Sequence, residues 1–167
     1  KPRTSTVWND KTYKVNERMT TYSYEAHLKY TGQNYTFAAK SLMASCLDHT
    51  ALLGGYGISS INPDNGEQEY TPFRHSTSWV NFTYGTKWKT HFFAGYTKNL
   101  GTTESLVSDT KYGMGLDIDQ LFSANLAFSY NLPHWQMGLE YMPTTAWYGK
   151  TDKENGKVTD THSVTNH

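Results

Sequence analysis

Polar and charged side chains recur on one parity of segments whose other parity is rich in aromatic and aliphatic residues. Alternate residues of an extended chain point to the same side, so these polar groups would share one wet face. Charges of both signs across a water-filled pore would create a transverse field and set solute preference. An interior network of ion pairs and hydrogen bonds with no selective role is an open alternative, because such charges need partners or water in either case. The predicted pore-lining residues are Glu25, His27, Lys29, Lys40, Lys89, His91, Asp117, Asp119, Gln136 and Glu140.

Other arrangements that could support catalysis or metal binding are weak in this sequence. Asp117 and Asp119 would lie roughly 6.6 Å apart along one strand face, whereas calcium takes about six to eight oxygen ligands. No spacing singles out a Ser or Asp nucleophile with a positioned His. Cys46 is the single cysteine, which excludes an internal disulfide and a cysteine-based zinc site. The sequence therefore predicts no enzyme, no cofactor and no metal site.

Period-two alternation predicts the strands that would position the polar face. Between Thr20 and Tyr30, aromatic and aliphatic residues alternate with polar ones such as Glu25, which is the pattern of an amphipathic strand. The many Thr and Tyr residues also favour strand over helix. Gln120 and Leu121 break the alternation, as a β-bulge would. We predict about eight strand segments: residues 3–8, 15–31, 34–46, 76–84, 88–98, 110–130, 135–149 and 161–167.

The predicted connections alternate between short turns and long polar loops. Short turns lie at residues 32–33, 85–87 and 131–134, and longer connections at about 9–15, 47–75, 99–110 and 150–160. Outer-membrane barrels have short periplasmic turns and long extracellular loops. We expect the longest connection, 47–75, to be an extracellular loop that either constricts the barrel mouth or contacts a neighbouring subunit.

Each short turn is flanked by a pair of aromatic residues. Tyr and Trp collect at membrane interfaces, where the ring lies partly in lipid and its polar atom stays wet. Aromatic residues also flank hairpin turns in soluble sheets, but their presence at all three turns favours a membrane girdle. The predicted girdle residues are Tyr30, Tyr35, Tyr84, Trp88, Tyr130 and Trp135.

Composition limits the function classes. The chain has 15 Lys and Arg against 15 Asp and Glu, so its net charge does not suggest a nucleic-acid partner. The mean hydropathy is −0.70, and no apolar run approaches the roughly 18 residues that a spanning helix needs. A barrel with a wet interior escapes that test, because only alternate residues of each strand face lipid. The first and last segments are shorter than the about 9–11 residues of a crossing strand, so we expect both ends to be cut in mid-strand.

The hairpin SANLAFSYNLPHWQMGLEY at residues 123–141, together with the girdle and the alternating connections, resembles the C-terminal half of Bacteroidota outer-membrane porins of the DcaP-like kind. The resemblance spans nearly the whole chain and rests on loose hairpin motifs. It implies a transmembrane antiparallel β-barrel in the bacterial outer membrane, in contact with lipid, typically a homotrimer that passes small hydrophilic solutes. We therefore expect residues 1–167 to form one β-barrel domain or a fragment of a larger barrel of about 16 strands.

Two other function classes stay open. The same alternation would suit a soluble or periplasmic β-barrel that buries the apolar parity around a small apolar ligand, because the period does not choose the outer face. Alternatively, the chain could form a structural outer-membrane barrel with a plugged lumen. Closure of this chain on itself as a small eight-stranded barrel is the alternative to a larger one.

Overall fold

The computed structural model describes residues 5–8, 11–14, 18–47 and 52–167, which form an all-β protein of antiparallel sheets. The main sheet has the strand order β13-β12-β10-β8-β7-β4-β3, with β11 also paired to β10. A second sheet has the order β6-β5-β9, and β1 and β2 form a separate hairpin. The strands are β1 (Ser5–Trp8), β2 (Lys11–Lys14), β3 (Ser23–Thr31), β4 (Tyr35–Ser45), β5 (Gly54–Ile61), β6 (Gln68–Pro72), β7 (Arg74–Gly85), β8 (Trp88–Gly101), β9 (Lys111–Met114), β10 (Ile118–Asn131), β11 (Gln136–Tyr141), β12 (Thr144–Thr151) and β13 (Val158–Asn166).

The predicted short turns are confirmed, and each joins two neighbouring strands of the main sheet. They connect β3 to β4, β7 to β8 and β10 to β11. Gly85 in the second turn has φ +105, and a Cβ there would lie 1.9 Å from the backbone oxygen of Trp88. Only glycine adopts this backbone conformation without strain, so the turn requires glycine at position 85.

Successive short turns are displaced along the strands. Thr36, beside the first turn, pairs with Thr83, two residues before Gly85 at the second turn. The same displacement occurs at the third turn, where Lys89, beside the second turn, pairs with Ser129, two residues before Asn131. A shift of about two residues, roughly 6.7 Å, across two strand spacings of about 4.8 Å corresponds to a strand tilt of about 35°. Such a stagger and tilt are typical of sheets that curve into barrels.

The long connections fold over the end of the main sheet that lies opposite the short turns. Strands β5, β6 and β9 form a small sheet there, which we call the cap sheet. Tyr56, Ile58 and Tyr70 form one buried cluster, and Phe73, Leu106 and Leu116 form a second. The cap sheet is joined to the main sheet through Phe73, the residue between β6 and β7. Its N–H donates to the carbonyl of Gly55 in β5, and its carbonyl accepts a hydrogen bond from the N–H of Cys46, which follows β4.

Several predicted segments differ from the observed strands. The connection 47–75 contains β5 and β6, so it is not an unstructured loop; its residues 48–51 lie outside the described part of the chain. Segment 110–130 is divided by a turn into β9 and β10, and segment 135–149 is interrupted at Met142 and Pro143, because proline has no N–H for the strand ladder. Segment 15–31 becomes a strand only from Ser23, and residues 15–17 are not described; nor are residues 3–4 of the first segment or 9–10 of the first connection. The bulge predicted at Gln120 corresponds to a register shift between Ile118 and Gln120.

The main sheet does not form a closed barrel within the described residues. Strands β3 and β13 are its two edges, and each pairs with one neighbour. The sequence-based prediction is therefore confirmed for the all-β antiparallel class and for the amphipathic strands, and closure is not observed.

Candidate functional site

One face of the main sheet is predominantly apolar, and we call it the apolar face. Directly paired residues of antiparallel strands project to the same side, so strand register assigns every residue to a face. Along β10, this face carries five alternate residues, from Tyr130 at the short-turn end to Phe122. Within the described part of the chain nothing covers it, and Leu139 is 77% exposed. One complete cross-strand ladder consists of Tyr30, Phe37, Phe82, Phe92, Leu126 and Tyr141.

The predicted girdle residues lie together at the short-turn end of this face. Ring centroids are 5.8 Å apart for Tyr30 and Tyr35, 4.5 Å for Trp88 and Tyr130, and 5.7 Å for Tyr130 and Trp135. The Lys87 ammonium lies 5.1 Å from the centre of the Tyr130 ring. The aromatic positions advance with the turns: Tyr35 pairs with Tyr84, whereas Trp88 and Tyr130 form the next row.

The opposite face, which we call the polar face, carries most of the predicted pore-lining residues. Glu25 forms an ion pair with Lys40 at 2.9 Å, and its other oxygen lies 3.7 Å from His27 Nδ1. Lys29 and Lys89 have no ion-pair partner within the described residues. The face therefore combines one compensated carboxylate with two free ammonium groups.

A polar cavity of about 490 Å³ lies on the polar face near the short turns. His91 lines this cavity, with Nδ1 3.1 Å from Thr83 Oγ1 and Nε2 3.3 Å from Ser129 Oγ. The side-chain amide of Asn125 donates a hydrogen bond to Glu140. Gln136, the third predicted residue here, lines the same cavity. The structure thus brings three distant segments together around one wet space.

The prediction that Asp117 and Asp119 share a strand face is wrong. Asp117 is exposed in the turn between β9 and β10, and its backbone carbonyl accepts a hydrogen bond from Gly149. Asp119 is buried and forms an ion pair with Lys98 at 2.7 Å, and it also accepts a hydrogen bond from Gln120. Ammonium and amide donors already occupy this carboxylate. Across the described ranges, no group of His, Cys, Asp and Glu side chains could hold a metal ion.

Two aromatic residues on the polar face were not among the predicted site residues. Trp79 pairs with Lys40 and with Gly95, so it shares their face. Phe93 pairs with Asn81 and lies beside Trp79, with ring centroids 6.3 Å apart. The signal in the sequence was the break in alternation at Phe93, which follows the apolar-face residue Phe92 directly.

Buried polar groups lie at the end of β7 opposite the short turn, outside the apolar band. His75, the second residue of β7, is 1% exposed, and neither of its ring nitrogens has a hydrogen-bond partner in the described part of the protein. Burial lowers the pKa of this imidazole to about 4, because desolvation disfavours the charged form. Asn99, its cross-strand partner, is also buried. The alternation of polar and apolar residues in the sequence did not predict a role for His75 and Asn99.

Comparison with known proteins does not assign the chain to a family. No protein-family model, curated protein or solved structure matches it. The described residues contain no helix that is long and apolar enough to span a bilayer. Function must therefore be argued from the two faces of the main sheet.

Proposed function

We propose that the main sheet is part of the wall of a transmembrane β-barrel in a bacterial outer membrane, and that the barrel is a porin-like channel for small hydrophilic solutes. In this arrangement the apolar face contacts lipid and the polar face lines the lumen. Further strands, from beyond the described residues or from another copy, would pair with β3 and β13, because unpaired backbone groups are costly in lipid. A homotrimer is part of the proposal, on the family resemblance alone.

The height of the apolar band is the observation that carries this proposal. On β10 the band extends from Tyr130 to Phe122, which is roughly 27 Å along the strand. At a tilt of about 35°, this corresponds to roughly 22 Å along the barrel axis, close to the roughly 25 Å apolar band of outer-membrane barrels. An uncovered apolar surface of this extent is rare on a soluble monomer, so the soluble alternative needs a dry core to cover it.

Lumen charges support a channel for hydrophilic solutes over a ligand-binding barrel. Lys29, Lys40, Lys89, Glu25 and Glu140 all lie on the polar face. In a soluble barrel with the apolar face inside, these residues would lie on the outer surface and would need no cavity. The concave polar site at His91 and Glu140 is better explained by a wet lumen.

Reconstitution of the full chain tests the proposal. The protein should be insoluble without detergent, show heat-modifiable gel mobility, and produce discrete ion conductance in planar bilayers of a phospholipid such as diphytanoyl phosphatidylcholine. Heat-modifiable mobility without conductance would favour the plugged structural barrel. A monodisperse protein in buffer without detergent would refute the membrane assignment.

The lysine side chains without ion-pair partners provide a matched test of the lumen face. Replacing Lys29 and Lys89 together with Glu should shift the reversal potential in a KCl gradient toward cation preference, since both groups would contact the permeating ions. Replacing Lys87 with Glu, in the short turn, is the control and should change it less. Equal shifts for the two variants would contradict the assignment of the polar face to the lumen.

A further inference from the structure

Trp79 and Phe93 place an aromatic surface on a face that is otherwise polar. Both side chains are half-buried and lie beside one another, with ring centroids 6.3 Å apart and planes inclined at 36°. Gly95 makes room for them: a Cβ there would lie 3.0 Å from the Phe93 ring and 3.7 Å from Trp79 Cβ. The Phe93 ring therefore lies over the backbone of Gly95, and Phe93 also lines the polar cavity near the short turns.

Hydrogen-bonding groups of mixed character surround this aromatic surface. Phe93 lines the polar cavity together with Asn81, Asn125, Gln136 and Glu140. Within the described part of the chain, the side-chain amides of Asn81 and Gln136 have no hydrogen-bond partner, so both remain free to donate and to accept. The volume of about 490 Å³ lies within the roughly 300–1,000 Å³ of ordinary small-molecule sites.

The charge of the cavity decides which class of solute fits. No Lys or Arg is among the described residues that line it, so its own lining holds no cation to neutralise a carboxylate or phosphate. Glu140 is its one carboxylate, and the Asn125 amide already donates to it. A charged solute would be poorly matched, whereas a neutral solute rich in hydroxyl groups could use amide, carboxylate and imidazole groups together.

We infer that this cavity is a binding site for neutral saccharides. A pyranose ring has one flat face of C–H groups, which packs on an aromatic ring, and a rim of hydroxyl groups, which both donate and accept hydrogen bonds. Phe93, which lies beside Trp79, offers the first kind of contact, and Asn81, Gln136 and Glu140 offer the second. This inference rests on the proposed channel function, since it names the class of solute that the lumen would bind.

Calorimetric titration with maltose tests the site independently of conductance. The full chain is purified in a detergent without a sugar headgroup, and succinate serves as a charged comparison solute. Maltose should bind and succinate should not. Phe93→Leu, which keeps the apolar volume and removes the flat ring, should weaken maltose binding about tenfold, and Phe93→Trp should retain it.

Phe92→Leu is the matched control, because the same change one residue earlier falls on the apolar face. It should leave maltose affinity unchanged, and circular dichroism should show that both Leu variants fold. Equal loss in the two variants, or succinate binding as tight as maltose binding, would overturn the inference. Conductance that maltose does not reduce would also overturn it while leaving the channel intact. Absence of any conductance would refute the channel, and the titration would still decide the site.

Discussion

A charge placed in the middle of the apolar face tests which solvent that face contacts. Leu126 precedes Asn131, the last residue of β10, by five residues, which places it roughly 14 Å above the short turn at a tilt of about 35°. This is close to the middle of an apolar band roughly 25 Å tall. Arg at the bilayer midplane destabilises an outer-membrane barrel by about 2–4 kcal/mol. We therefore expect Leu126→Arg to lower the free energy of unfolding by about that amount.

Two companion variants separate burial in lipid from a general intolerance of arginine. Met137→Arg lies on the same face one residue into β11, beside the turn, where the cost should fall to about 0–1 kcal/mol. Ala127→Arg follows Leu126 on the polar face and is paired with Glu140, so its cost should be below about 0.5 kcal/mol. Comparison of Leu126 with Met137 thus tests how the cost depends on depth in the bilayer. Comparison of Leu126 with Ala127 tests how it depends on the face of the sheet.

The measurement is denaturant unfolding of each variant from phospholipid vesicles, followed by tryptophan fluorescence. Longer acyl chains should raise the cost at Met137 more than the cost at Leu126, because a thicker bilayer brings the turn-side position into hydrocarbon. The reasoning fails if Ala127→Arg is as destabilising as Leu126→Arg. It also fails if the cost at Met137 equals that at Leu126 in every lipid.

Three further predictions concern single residues whose environments the structure defines. The free energy of unfolding should fall by up to about 3 kcal/mol as the pH is lowered from about 6.5 to about 4, because burial lowers the pKa of His75 to about 4 while the unfolded chain takes up its proton near 6.5. His75→Asn should remove this pH-dependent contribution in denaturant titrations. A pH profile that is the same in the variant and the original protein would contradict the prediction. Asp119→Asn should lower the unfolding free energy by about 1–3 kcal/mol by leaving Lys98 unpaired, whereas Asp117→Asn, in an exposed turn, should change it by less than about 0.5 kcal/mol; equal effects would show that the ion pair is not stabilising. Gly85→Ala should cost about 1–3 kcal/mol through backbone strain, and a neutral result in thermal unfolding would show that the turn adopts another backbone conformation.

The sequence predicted the long strands because their two faces differ in polarity throughout. In β3 and β4, for example, Leu28 pairs with Ala39 on one face and His27 with Lys40 on the other, so period two is visible in the residue types. Glycine and Asn or Pro then mark the short turns. These local signals were sufficient for the antiparallel class and for the aromatic positions.

The cap sheet could not be predicted in the same way. Strand β5 begins with buried residues on both sides of the chain, from Gly54 to Ile58, so no alternation between polar and apolar residues remains. Gly113 and Gly115 precede the turn that separates β9 from β10, and this turn shifted the assumed parity of Asp117. Alternate residues share one face only along a continuous strand, so a turn hidden inside a predicted segment changes the face of the residues that follow it.

The contacts between residues of the candidate site could not be predicted from sequence patterns, for a related reason. His91, Asn125 and Glu140 come from three strands, and they meet only because β8, β10 and β11 are neighbours in a particular register. A one-residue slip would move every side chain of one strand to the other face. The residue types of the polar face were therefore predictable, whereas their contacts depend on register.

The displacement of the turns bears on the choice between a membrane and a soluble sheet. A membrane interface is a plane, and strands tilted by about 35° meet it about two residues further along at each successive hairpin. The aromatic pair moves by one row from Tyr35 and Tyr84 to Trp88 and Tyr130, as such a plane requires. Aromatic residues beside the turns of a soluble sheet would follow the same stagger, but they would gain stability by burying their rings against a core. Trp88 is instead 71% exposed, as expected of a ring that the proposed barrel would place at a membrane interface, where both the ring and its N–H are accommodated.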